Sequence, residues 1–86
     1  MPTIAWFYGI AIRMYVRDHP PPHFHARYGN DSGMIEISTL ELLSGYLPVR
    51  ILRLVKEWAS AHQDELIMKW QLASSSQEPG KIEPLE

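Results

Sequence analysis

Ile10-Ala11-Ile12-Arg13-Met14-Tyr15-Val16-Arg17 alternates along its whole length. Ile10, Ile12, Met14 and Val16 fall on one side, and Ala11, Arg13, Tyr15 and Arg17 on the other. Successive side chains of a strand leave opposite faces, so this period of two predicts a half-buried β-strand. The stretch before it, Thr3 to Tyr8, is rich in aromatic and β-branched residues and reads as another strand. Gly9 is then a bend or bulge between the two.

Downstream, Pro20-Pro21-Pro22 ends any regular element, because consecutive prolines hold the backbone near polyproline II and withhold their donors. His23 to Tyr28 resumes as a strand, with Phe24, Ala26 and Tyr28 on one face and His23, His25 and Arg27 on the other. Gly29-Asn30-Asp31-Ser32-Gly33 is a turn signal, so Met34 to Ser38 returns as the hairpin partner with Ile35 and Ile37 inward. A short strand near Leu40 to Leu43 follows, before Ser44-Gly45.

The period then changes to that of a helix. Pro48 suits a first helical turn. Ile51, Leu52, Val55, Trp58 and Ala59 fall on one stripe, opposite Arg50, Arg53, Lys56, Glu57 and Ser60. A second stripe carries Leu66, Ile67, Trp70 and Ala73. Two helices with a break near Ala61 to Gln63, the second capped by Asp64, and one long bent helix both fit. Strands first and helices last is an α+β order. The expected fold is therefore a small antiparallel sheet in the N-terminal half, packed against one or two C-terminal helices. Residues 1–75 form the single domain, and residues 76–86, polar with Pro79, Gly80 and Pro84, a disordered or extended tail.

Composition narrows the function. At 86 residues the chain has room for one core, and 45% hydrophobic against 21% charged residues argues against intrinsic disorder. The absence of cysteine excludes disulfides, thiolate metal sites and a cysteine nucleophile, and fits a reducing compartment. No apolar run approaches the roughly 20 residues that span a bilayer. The opening Met1-Pro2-Thr3-Ile4-Ala5-Trp6 lacks the basic start of a secretory signal, so no membrane association and a cytoplasmic location are expected. A formal charge of −2 gives no global attraction to nucleic acid, and DNA is not an expected partner. A local basic patch from Arg13, Arg17 and Arg27, with Arg50 and Arg53 later, keeps RNA open.

The chemistry concentrates in Asp18-His19-Pro20-Pro21-Pro22-His23-Phe24-His25. His23 and His25, two apart on an extended chain, put their imidazoles on one side about 7 Å apart at Cα. Both nitrogens then reach one ion at about 2.0–2.1 Å, as zinc requires. His19, folded back across the prolines, is a further candidate ligand, and Asp18 or Asp31 an oxygen ligand. Prolines forbid the helix of a zincin motif, and the glutamate a cupin would need falls near Gly29 or Asn30.

The same residues allow other readings. Histidines beside prolines cap turns, stack on rings or bond to carbonyls. A histidine pair also serves as general acid and base near neutral pH, with Arg17 or Arg27 holding a phosphate. His62 extends a helix stripe and reads as packed, as do Trp58 and Trp70. Trp6, Phe7 and Tyr8 cannot all face inward on a strand, so one of them is offered to a partner. The Arg50/Arg53/Lys56 face reads as solvated.

The chain resembles a family of small bacterial proteins catalogued as domain of unknown function 4160. The resemblance is carried by Met1-Pro2-Thr3-Ile4, by Gly9-Ile10 with Ile12-Arg13-Met14-Tyr15, and by Asp18-His19-Pro20-Pro21-Pro22-His23-Phe24-His25-Ala26 followed by Tyr28-Gly29. Leu47-Pro48, Leu52-Arg53-Leu54-Val55, Glu57-Trp58, Glu65-Leu66 ahead of Trp70, and the closing Lys81-Ile82-Glu83-Pro84-Leu85 also match. It implies a compact cytoplasmic protein, suspected in some members of being half of a toxin–antitoxin pair. It transfers no catalytic residue.

Two function classes follow. The leading expectation is a protein-binding or regulatory module, such as a toxin–antitoxin component, that meets a small protein partner or a second copy of itself. The alternative is a small hydrolase, RNase-like or metal-dependent, built on His19, His23 and His25. In that reading Arg17 and Arg27 are the anion-holding candidates, and the cofactor is a divalent metal such as zinc.

Overall fold

The computed structural model describes residues 3–86. Met1 and Pro2, the first residues of the opening read above for a signal and for family likeness, lie outside the described residues. Tyr8 and Gly9 both take positive φ, 50° and 79°, the combination that a two-residue type I′ hairpin demands. Of the two expectations for Gly9, bend or bulge, the bend holds: it is half of a tight turn. It joins β1 (Thr3–Phe7) to β2 (Ile10–Arg13), with Phe7 paired directly to Ile10.

The strand expected over residues 10–17 stops at Arg13. Arg17 turns back with φ 58°, and the prolines that follow have no donors with which to extend a ladder. Met14 remains buried, but Val16 is 41% exposed instead of facing the core.

β3 (His23–Tyr28) and β4 (Asp31–Glu36) form a second hairpin closed by Gly29-Asn30, with Tyr28 opposite Asp31. Gly29, at φ 61°, takes the first central position, so the turn is tighter than the five-residue signal suggested. Gly33 consequently lies inside β4, where a Cβ would sit 2.5 Å from Leu42 Cδ1. Its bareness serves the close approach of β5 (Leu42–Gly45) rather than a turn. The last strand begins later than Leu40 because Leu40 itself turns with φ 62°. All four pairings are antiparallel, in the order β1-β2-β3-β4-β5.

α1 (Val49–Ser60) and α2 (Gln63–Ser74) follow, two helices rather than one bent one. Pro48 stands at the N-cap of α1, one place ahead of the expected first turn, and its carbonyl accepts from Leu52 N–H at 2.9 Å. His62, not Asp64, stands at the N-cap of α2; Asp64 lies in the first turn, where a carboxylate complements the helix dipole. The His62 ring packs 5.5 Å from Trp58.

One face of the sheet (Ile4, Phe7, Ile10, Ile12, Phe24, Ala26, Ile35) buries against Ile51, Val55, Trp58 and Ala59 of α1 and Leu66, Trp70 and Ala73 of α2. Trp58 is the hub, with ring centroids 5.4 Å from Phe7 and 5.8 Å from Phe24. The α+β layering is the one the change of period implied.

Residues 77–86 carry no regular secondary structure, and Lys81 and Ile82 lie against β1. Ile82 N–H donates to Ile4 O at 2.7 Å, Lys81 Nζ to Thr3 O at 2.8 Å, and the Trp58 indole N–H to Glu83 O at 2.7 Å. Among the described residues no helix is long and apolar enough to cross a membrane.

Candidate metal centre

The other face of the sheet carries the polar residues. Register places Arg13 opposite His25, Ala11 opposite Arg27, and Trp6 opposite Ala11, so these side chains share that face. His23 opens β3 at its far end, beneath the loop that leaves β2. That loop is tied to the last turn of α2 by Arg17 N–H, which donates to Ala73 O at 3.0 Å. Arg17 Nε–H also donates to Ser76 Oγ.

Folding the loop back brings Asp18 over the two strand histidines. Asp18 Oδ2 lies 2.9 Å from His23 Nε2 and 3.3 Å from His25 Nε2. Its other oxygen accepts the His19 backbone N–H at 2.9 Å, which fixes the carboxylate plane. One ligand atom from each of Asp18, His23 and His25 lies within 4.8 Å of the others. A tetrahedral ion with bonds of 2.0–2.1 Å holds its ligand atoms roughly 3.3 Å apart. The 3.3 Å contact from His25 matches that spacing, and the 2.9 Å contact from His23 is shorter than it.

The protonation of His23 is constrained. Its Nδ1 lies 2.7 Å from the Pro21 carbonyl oxygen, which only accepts, so Nδ1 carries a hydrogen. In a neutral ring Nε2 then presents a lone pair, aimed at a carboxylate that also has only lone pairs to offer. A contact of 2.9 Å between them is attractive only with a proton or a metal cation between. A histidine whose second nitrogen donates to a backbone carbonyl is the usual arrangement for a metal ligand, since it sets the tautomer and the ring plane.

The neighbours leave the site half dry. His23 is 2% exposed, covered by Trp70 with ring centroids 5.0 Å apart. Tyr15 meets His25 edge-on at 4.7 Å. Burial lowers the pKa of His25, and the charge of His23 adds to this against the opposing pull of Asp18. For Asp18, burial pushes the carboxyl up, but hydrogen bonds from His25, the His19 backbone and His23, with the His23 charge, outweigh it and hold the pKa below its ordinary value. A neutral imidazole and an ionised carboxylate are the forms a cation binds.

The sequence candidates separate. His23, His25 and Asp18 converge. His19 does not, because the turn aims its ring outward, where it is 92% exposed and 3.9 Å from Asp18 Oδ1. Arg17 and Arg27 lie outside the cluster, the latter donating from Nε to Gly29 O at 3.1 Å. Asp31 sits across from Tyr28 at the hairpin end. Trp70 and Tyr15 were missed, since nothing local shows that a helix core position or a strand end will cover a histidine. Arg13 became significant only with the register that pairs it to His25.

A protein-family model described as Domain of unknown function (DUF4160) matches residues 9–71, well over half of the chain and the whole of the Asp18–His25 loop. No curated protein and no solved structure matches.

Proposed function

The chain belongs to the family of that domain of unknown function, which supplies no activity, and from the site itself we propose a small metal-dependent hydrolase with Asp18, His23 and His25 as the protein ligands. The observation that carries the reading is the His23 ring, which donates from Nδ1 to Pro21 O and turns Nε2 on the Asp18 carboxylate. Two imidazoles and a carboxylate suit zinc, and three protein ligands leave a fourth position for water, whose pKa such an ion brings to about 7. This favours the second of the two function classes, with Asp18 taking the place expected of His19.

The test is a zinc titration of metal-free protein followed by calorimetry and histidine NMR. Saturation at one equivalent, with shifts at His23 and His25 and none at His19, supports the reading. Loss of the response in His23→Ala, with the native response kept in His19→Ala, supports it further. Equal shifts at all three histidines, or none, removes it.

A second reading has its own support. Lys81 and Ile82 lie against β1, whereas among the described residues no strand but β4 pairs with β5, and Leu43, Tyr46 and Val49 are exposed beside it. An uncovered strand edge next to apolar side chains suits a small protein partner or a second copy. That is the protein-binding, regulatory role, including the toxin–antitoxin arrangement. Sedimentation of Tyr46→Lys against the parent protein tests self-association, and a strict monomer for both removes it.

A further inference from the structure

Arg13 is incompletely bonded. Its Nε is buried and has no hydrogen-bond partner among the described residues. Nor does any carboxylate of the described residues lie within 4.0 Å of Arg13, Arg17 or Arg27, since every ion pair recorded there involves a histidine. A buried guanidinium nitrogen left without an acceptor is expensive; Nε is closed to solvent, and what Arg13 offers a ligand is the part of its side chain that lines a surface depression.

The surroundings define the acceptor. Trp6, Gly9, Ala11, Arg13, Arg27 and Gly29 line a depression of about 170 Å³ on the outer face of the sheet. It lies below the 300–1,000 Å³ of pockets that enclose whole small-molecule ligands, so it suits one small group of a larger, mostly exposed molecule. Two arginines beside a small alanine floor favour an oxyanion, because guanidinium forks match phosphate oxygens. Trp6, 62% exposed at the rim, and Tyr8 on the adjoining turn offer aromatic surface without sequence preference. The acidic residues of this face stand at its other end. Asp18 is committed to the two histidines, and Glu36, opposite His23, accepts from Ser38 and Thr39.

We infer that this depression is a phosphate subsite for single-stranded nucleic acid, with Arg13 and Arg27 on the phosphate and Trp6 against a base. The inference deepens the hydrolase reading and rests on it for the reaction, though the binding itself needs no metal. Arg27 and His25 are two residues apart on β3, about 7 Å. A phosphate held by the arginines leaves the neighbouring linkage of the same strand within reach of the metal centre. Duplexes are excluded by the same argument, because their bases are not free to meet Trp6.

The probes are labelled 12-nucleotide RNA and DNA single strands and the corresponding RNA duplex, measured against metal-free protein over a range of salt. Single strands are expected to bind, with affinity falling as salt rises. Arg27→Gln, an exposed position, should reduce the slope of log affinity against log salt by about 0.7, the share of one phosphate contact on a single strand. Trp6→Ala should weaken binding about tenfold while leaving that slope unchanged. Arg13→Gln should act as Arg27→Gln does, provided its thermal unfolding matches the parent. The RNA and DNA arms decide which strand is preferred, and either preference supports the subsite. Single-strand affinity unmoved by both Arg27→Gln and Trp6→Ala overturns it, as does equal affinity for the duplex. In His23→Ala, where zinc binding should be lost, single-strand binding should persist, so failure of the metal centre and failure of the subsite are read separately.

Discussion

Asp18 Oδ2 lies 2.9 Å from His23 Nε2 across five residues of a proline-rich turn, while the opposite nitrogen of that ring is held by Pro21 O. The carboxylate is also the atom His25 approaches, so a single oxygen joins the loop to the strand. Asp18→Asn keeps the shape and removes the charge. Loss of a group that merely orients a metal ligand typically reduces affinity 10–100-fold, and loss of a ligand should exceed that range. Zinc affinity in Asp18→Asn is therefore expected to fall more than about 100-fold while His19→Ala stays within a few-fold of the parent. Competition with a chelating dye measures both, and an unchanged Asp18→Asn would exclude the carboxylate as a ligand.

The C-terminal strap depends on one apolar anchor. Ile82 is buried against the core, and its N–H donates to Ile4 O. Ile82→Ala leaves the backbone bond possible but opens a cavity, for which about 2–4 kcal/mol is the ordinary range. Urea unfolding should show that loss. A loss under about 0.5 kcal/mol, the level of an exposed substitution, would mean that these residues leave the domain freely in solution.

Much of the fold was legible because its signals are local. The alternation of Ile10, Ile12 and Met14 and the 3.6 period of Ile51, Val55 and Trp58 each bury one face, and all six residues are in the core. Strand ends were read less well. Tyr8 takes a positive φ that favours glycine or asparagine, so Gly9 alone left bend and bulge both open, and Gly33 looked like a turn because the close approach of Leu42 is a tertiary fact. The candidate site was legible in His23 and His25, whose spacing sets their common face. It was not legible in the ranking of His19 above Asp18. The reversal at Arg17 and Asp18 decides which of two neighbouring side chains points inward, and sequence proximity treats them alike.

Trp58 carries two separable contributions. Its ring fills the space between Phe7 and Phe24, and its N–H donates to Glu83 O. Trp58→Phe retains most of the packing and leaves the carbonyl to water, so a loss of about 1–2 kcal/mol is expected. Trp58→Ala should lose about 3–5 kcal/mol. A small domain has about 5–15 kcal/mol in total, so the alanine variant should be largely unfolded at elevated temperature. Circular dichroism melts separate the two. Equal destabilisation by Phe and Ala would contradict the assignment of most of the effect to packing.

Acid should weaken the fold of the metal-free protein through His25 and Asp18 in two successive windows. The folded-state pKa of His25 is depressed below the ordinary 6.5, with burial as the leading cause. Between the two values the unfolded chain binds a proton that the folded chain does not, so stability rises with pH there. The contribution is present above about 6.5 and is lost as pH falls through the lower, folded value. Asp18 behaves alike in a more acidic window: its folded pKa lies below the ordinary 3.8, so its contribution holds above that value and disappears beneath it. Urea midpoints measured from pH 7.5 to pH 5 should therefore decline, and the decline should be shallower in His25→Gln, which has no imidazole to charge. Added zinc should steepen it, because protons and the cation compete for the same nitrogens. A His25→Gln variant with the full parental slope would show that His25 is not the group being charged. An upward slope toward acid in the parent would mean that His25 gains more from Asp18 on protonation than burial takes away.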